Sequence, residues 1–166
     1  MRTPALYETA RALMNAGRAQ EALALTTPAV ASPHVDAVTL DAHAAILKAL
    51  ERHIEARPFQ KQATLKDPQN RIIWHNYAAL LNDLGEHGEA RKAVDHAMRL
   101  GLDAPETWLV SGRNYVGLEQ FDRAEASYRE ALRRRPDYYE AHRDIAQLIW
   151  MRTGDPDLAI APLNAA

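Results

Sequence analysis

The chain of 166 residues has no cysteine. That excludes a disulfide framework, a thiolate metal site and a cysteine nucleophile, and it is compatible with a reducing compartment. Glycine is scarce, with seven residues, and aromatic residues make up only 7%. No sign of charge dominates: the formal net charge is −2, so no global basic field points to nucleic acid. Long apolar runs are missing as well. The N-terminal stretch MRTPALYETARALMNAG has polar and charged residues in its first turns and lacks the apolar core of a signal peptide, and no segment approaches the length of a membrane span. These absences predict a soluble, cytoplasmic chain with neither nucleic acid nor membrane as partner. What is present is 47% apolar residues, many of them alanine, and 25% charged residues, a mixture that suits packed helices.

Self-similarity organises the chain. Residues 105–138 read PETWLVSGRNYVGLEQFDRAEASYREALRRRPDY. Counting back in steps of 34 from Trp108 reaches Trp74, Leu40 and Leu6; from Gly112, Ala78, Ala44 and Ala10; from Tyr115, Leu81, Leu47 and Leu13. Ala124 leads back to Ala90, Ala56 and Ala22, and Ala131 to Ala97, Ala63 and Ala29. Large apolar residues recur on one helical face and small ones recur where two helices would approach. The pattern predicts an all-α, quasi-one-dimensional stack of helix pairs. Its units are 3–36, 37–70, 71–104 and 105–138, with a partial fifth at 139–166, all in one array.

The stretch 105–138 resembles the tetratricopeptide repeat, a helix–turn–helix unit written W-x2-L-G-x2-Y, then A-x3-F, then P. Trp108, Gly112, Tyr115, Ala124, Ala131 and Pro136 match the family pattern; Ser111 stands where Leu is usual and Tyr128 stands for Phe. The resemblance covers nearly the whole chain. It implies a solenoid of about four and a half repeats, similar to the N-terminal repeat arrays of larger bacterial proteins.

Taken in order, Thr3 and Pro4 read as the start of the first helix, with Thr3 as its cap. Thr26, Thr27 and Pro28 are expected to shorten or bend the second helix, because proline removes a helical hydrogen bond and crowds the preceding turn. Pro58 is expected to kink or delay the second helix of the next unit, where Gln60 takes the place of a large apolar residue. Gly17 and Gly85 close helices, Gly101 is expected as a left-handed cap, and Thr153-Gly154-Asp155-Pro156 forms a turn one residue longer than its counterparts. Trp74 and Trp108 are expected to face inward. No polar capping helix follows the fifth unit, so we expect a fragment of a longer chain; the alternative is an open end buried by a partner copy.

No residue set carries chemistry. Seven histidines are spread without the spacing a metal needs. His34-Val35-Asp36 and His142-Arg143-Asp144 mimic short pieces of an iron triad and of a kinase catalytic loop, but neither has its surrounding motif. Arg133, Arg134 and Arg135 read as cations at a helix C-terminus within reach of Glu130. Catalytic residues, cofactors and metal sites are therefore expected to be none.

The resemblance implies where binding would occur. In such arrays the first helix of each unit lines a concave groove. The matching positions nominate His75, Asn76 and Asn82 in the third unit, Leu109, Val110, Arg113 and Val116 in the fourth, and Arg143, Asp144, Gln147, Trp150 and Met151 in the fifth. The Lys, Asn and Arg set with which some family members hold a chaperone's C-terminal carboxylate is not matched, since the fifth position of successive units is Tyr7, Asp41, His75, Leu109 and Arg143. The groove is instead expected to change from polar in the second and third units to an apolar stripe with arginines in the fourth and fifth, the composition of a binding hot spot. Trp150 and Met151 stand equally as ligand contacts or as packing for sequence beyond Ala166. The expected function is a non-catalytic scaffold for a protein or peptide ligand. The alternative is a docking or targeting array on a bacterial enzyme, such as a 2-oxoglutarate/iron oxygenase or a sulfotransferase; self-association through the uncapped end is a third reading.

Overall fold

The computed structural model describes residues 3–163, with side chains from Leu6 onward. Among the described residues there are ten helices and no strand. They fall into five antiparallel pairs: α1 Thr3–Asn15 with α2 Ala19–Val30, α3 Ala37–Ala49 with α4 His53–Lys66, α5 Arg71–Asp83 with α6 His87–Arg99, α7 Pro105–Gly117 with α8 Phe121–Arg134, and α9 Tyr139–Thr153 with α10 Pro156–Leu163. The first helices begin at 3, 37, 71, 105 and 139, each 34 residues after the last. The expected cap at Thr3 lies outside the described side chains.

Alanine and glycine allow the close approach within each pair. Ala10 meets Ala22, and the same positions hold Ala44 and Ala56, Ala78 and Ala90, then Gly112 and Ala124; the alanines are all buried. Around these contacts the apolar side chains form a row of local clusters rather than one core. The backbone of each first helix approaches that of the next pair's first helix, whereas the backbones of successive second helices stay apart, and a side-chain ion pair, Arg57 with Glu89, bridges α4 and α6. The first helices therefore lie on the inside of the curve, and they line the groove.

The turn inside each of the first four pairs closes with a left-handed residue: Gly17, Glu51, Gly85 and Glu119, with φ of 71, 59, 74 and 58°. The next residue's N–H donates back to a carbonyl five residues earlier, as from Arg18 to Leu13 and from Gln120 to Tyr115, both at 2.9 Å, which satisfies carbonyls the helix end would otherwise orphan. In the fifth pair Gly154 is the left-handed residue, with φ of 67° and one residue late in the repeat, but there the next N–H, of Asp155, donates to Thr153 Oγ1 at 3.1 Å; Gly101 takes a φ of 84° between α6 and α7.

Neither proline shortens or delays its helix. Helix α2 runs through Pro28 to Val30, and α4 starts at His53, five residues ahead of Pro58, and continues to Lys66. Both prolines are exposed, as are Ala24 and Ile54 four residues earlier, so the carbonyl each proline leaves unpaired sits on the outer face where water reaches it. Gln60, which takes the place of a large apolar residue, is buried and satisfied, donating to Asp41 Oδ1 at 2.6 Å and to the Ile73 carbonyl at 3.2 Å. The indoles are only half-buried. Trp74 Nε1 donates to the Pro68 carbonyl at 2.9 Å and Trp108 Nε1 to Asp103 Oδ1 at 2.7 Å, so each ring seals the loop before its helix from the margin of a cluster. No helix among the described residues is long and apolar enough to cross a membrane.

Candidate functional site

The inner face is crossed by polar bonds that tie neighbouring pairs together. Between α3 and α5, Asn76 Nδ2 donates to both oxygens of Asp41 at 3.0 and 3.1 Å, and Lys48 Nζ lies 2.8 Å from Asp83. Between α5 and α7, His75 Nδ1 is 3.2 Å from Thr107 Oγ1, while Asn82 donates to the Val110 carbonyl at 3.0 Å and accepts from Asn114 at 3.2 Å. Between α7 and α9, Arg113 Nε donates to Asp144 Oδ2 at 2.5 Å. His75, Asn76 and Asn82 are thus committed to holding the stack.

Burial sets the protonation of this face. The Asp41 carboxyl is pushed above its ordinary range by burial, only partly offset by the amides of Gln60 and Asn76. Burial lowers His75 from its ordinary value, against the opposing pull of Glu106. Burial works against the Arg113 charge, but its hydrogen bond and attraction to Asp144 outweigh that and raise it above its ordinary value. The Tyr128 hydroxyl is raised by burial and the nearby Asp144 charge.

Leu109 and Val110 do not join the groove surface. They are only 4% and 8% exposed, and they pack into the clusters of α7–α9 and α5–α7 respectively. The expected apolar stripe is therefore shorter at this point than the position pattern implied, because the neighbouring first helix covers these two side chains.

The remaining nominated residues converge on two adjoining cavities. The first, of about 240 Å³, is lined by Arg113, Val116, Arg143, Asp144, Gln147 and Met151, together with Tyr128 and Leu148. Asp144 lies at its base, its side chain 6% exposed, and Arg143 reaches it with Nε at 3.1 Å and Nη2 at 2.9 Å. The second, of about 370 Å³, shares Arg143 and Gln147 with the first and continues along Ala146, Trp150, Pro156, Ala159, Ile160 and Leu163. Trp150 is 58% exposed, and no residue of α10 is buried. The position pattern missed Tyr128, which comes from a second helix, and the α10 residues. Gly112 was the signal for the former: the space of its absent side chain is filled by the Tyr128 ring.

The other motifs are structural. Asp36 caps α3 by accepting from the Thr39 N–H at 2.8 Å. His142 Nε2 donates to the Pro136 carbonyl at 2.7 Å. Arg133 and Arg134 bond Glu130, Arg134 also reaches Asp103, and Arg135 pairs with Glu106. Among the described residues no three His, Asp or Glu side chains converge as metal ligands would.

Residues 109–166 match the family model of the tetratricopeptide repeat. No curated protein matches the sequence. Solved structures match along most of their length. Residues 41 to the end of MamA from Desulfovibrio magneticus RS-1 superpose with a TM-score of 0.79 at 16% identity, covering 99% of this chain and 93% of that one. TTC0263, a thermophilic repeat protein of Thermus thermophilus, gives 0.80 at 22% identity, covering 96% and 87%. YrrB, a repeat protein with an unusual peptide-binding site, gives 0.72 at 17% identity, covering 82% and 71%. At these identities the likeness establishes the fold.

Proposed function

Since this chain is a tetratricopeptide-repeat protein, we propose that it is a non-catalytic interaction scaffold that holds an extended peptide on its inner face, at α7 and α9. One observation carries this reading. Along most of the groove the polar side chains are spent on bonds between pairs, whereas at α7 and α9 two half-exposed guanidiniums, a glutamine and large apolar side chains open onto adjoining cavities. Apolar pockets with a few convergent polar groups are where ligands bind, and arginine and tryptophan dominate binding hot spots. A peptide-binding site, called unusual, occurs on this fold in YrrB.

The test is site-specific photo-crosslinking in cells, with the reactive group at Gln147 in the groove or at Ala126 on α8. A protein captured from Gln147 and not from Ala126, and lost with Trp150→Ala in a chain that keeps its helical circular dichroism, is the expected result. Capture from Ala126 alone, or of a second copy of this chain alone, would overturn it.

A further inference from the structure

We propose that the groove reads a pattern: an acidic side chain and a large apolar side chain separated by one residue, within an extended peptide. This rests on the peptide-groove reading and names its ligand.

Charge gives the first half. Arg113 and Arg143 share the single carboxylate of Asp144, which leaves one positive charge uncompensated at the wall of the smaller cavity. The Arg113 side chain is 41% exposed and that of Arg143 49%. A guanidinium carries five donors. Arg113 gives only its Nε to Asp144, and among the described residues its two Nη groups have no acceptor. Unused donors fixed in a fork suit a carboxylate. Because Asp144 is itself buried and bonded from both sides, the two cations are held in place before any ligand arrives. Among the described residues lining this cavity Asp144 is the only carboxylate, so an incoming acid meets two cations and one anion. A cavity of about 240 Å³ accommodates one side chain.

Continuity gives the second half. The larger cavity is almost wholly apolar, with Trp150, Ile160 and Leu163 on its walls, and it shares Arg143 and Gln147 with the smaller one. Because Arg143 and Gln147 line both cavities, side chains that fill the two are close neighbours. In an extended strand, alternate side chains point the same way and stand about 6.5–7 Å apart. Residues i and i+2 of one strand therefore drop into the two cavities while i+1 points away. The smaller cavity is lined from α7, α8 and α9 and the larger from α9 and α10, so a strand crossing both carries its acid on a side chain rather than at a terminus.

The experiment is selection of displayed random nine-residue peptides, flanked at both ends by fixed sequence, on the whole chain. Selected peptides, synthesised with blocked ends, are then titrated by fluorescence anisotropy. We expect Asp or Glu two positions from Leu, Ile, Met or Phe. Changing that Glu to Gln should weaken binding about tenfold or more, and added salt should erode the difference. Arg143→Gln, whose side chain is half-exposed, should bind the Glu and Gln peptides alike; Trp150→Ala should lose the preference for the apolar residue. Peptides that bind and shift the Met151 methyl resonance, yet show no acidic preference or keep it in Arg143→Gln, would overturn the pattern and leave the peptide groove standing. Tighter binding of a peptide whose free C-terminus supplies the carboxylate would overturn the side-chain assignment. A library with no binder would overturn both readings.

Discussion

Gly112 and Tyr128 form a pair whose sizes must match, and breaking the match gives a measurable energy. A methyl group on Gly112 would lie 2.2 and 2.4 Å from Cε1 and Cδ1 of Tyr128 and 2.9 Å from Cζ. Carbon atoms rest at about 3.5–4.0 Å, so the ring would have to retreat by more than about 1 Å. It cannot do so freely, being 2% exposed and packed with Leu109, Ala124, Ile145 and Leu148. Overpacking of a filled core costs about 1–3 kcal/mol, and this displacement belongs at the upper end. Alanine returns about 1 kcal/mol of helix propensity over glycine. Gly112→Ala should therefore destabilise by about 2 kcal/mol. The other pairs show the remedy, since Ala10, Ala44 and Ala78 stand opposite Thr26, Gln60 and Val94 at the matching positions. Tyr128→Val alone should cost about 2–3 kcal/mol through the space it vacates. Combined with Gly112→Ala it should cost less than the sum, with a coupling of about 2 kcal/mol. Urea unfolding followed by circular dichroism measures all four corners of the cycle. A neutral or stabilising Gly112→Ala, or additive single changes, would refute the size-matching argument.

Two further predictions concern the turns and the half-buried Asp41. Glu119→Gly and Glu51→Gly place glycine where the first and third pairs already have it, at φ of 58 and 59°, and each should gain about 0.5–1 kcal/mol; a lower melting temperature for either would contradict the strain assigned to these positions. Asp41 holds its proton in the folded chain at a pH where the unfolded chain has released it, because burial raises its carboxyl. Its contribution is thus favourable below the ordinary carboxylate range and is lost as pH rises through the raised folded value. Asp41→Asn should raise the melting temperature at neutral pH, by an amount that shrinks as pH falls towards the ordinary carboxylate range; a gain independent of pH would rule out this titration as the cause.

Helix positions were legible in the sequence because a period of 34 superimposes Ala10, Ala44, Ala78 and Gly112, and small residues at helix contacts have few substitutes. The shortening and delay expected of the prolines failed for a definite reason. Pro28 and Pro58 carry the same local penalty wherever they fall, but its size depends on whether the orphaned carbonyl faces water, and that is a property of the stack. Glu51 and Glu119 hid two left-handed turns that Gly17 and Gly85 announced. In the groove, position within the repeat identified the helix face but not what each side chain is spent on. Asn76 meets an aspartate 35 residues away and Asn82 an asparagine 32 residues on, and such pairings follow from the offset between pairs rather than from either residue's neighbours. Leu109 and Val110 were misplaced on the same account, as the adjoining helix decides whether that face is covered.

The polar bonds between first helices have a consequence for the order of the repeats. An amide meets a carboxylate at the α3–α5 boundary, a histidine meets a threonine at α5–α7, and a guanidinium meets a carboxylate at α7–α9. Each boundary is keyed differently, so the helix pairs are similar in shape but not interchangeable. Exchange the third and fourth pairs, and Asp41 would face Val110 in place of Asn76, while Asp144 would lose Arg113. A buried carboxylate without its partner costs far more than a lost apolar contact. The same backbone unit thus repeats along the chain while its side chains distinguish one neighbour from another, and exchanging these two pairs would leave Asp41 and Asp144 without the partners they have now.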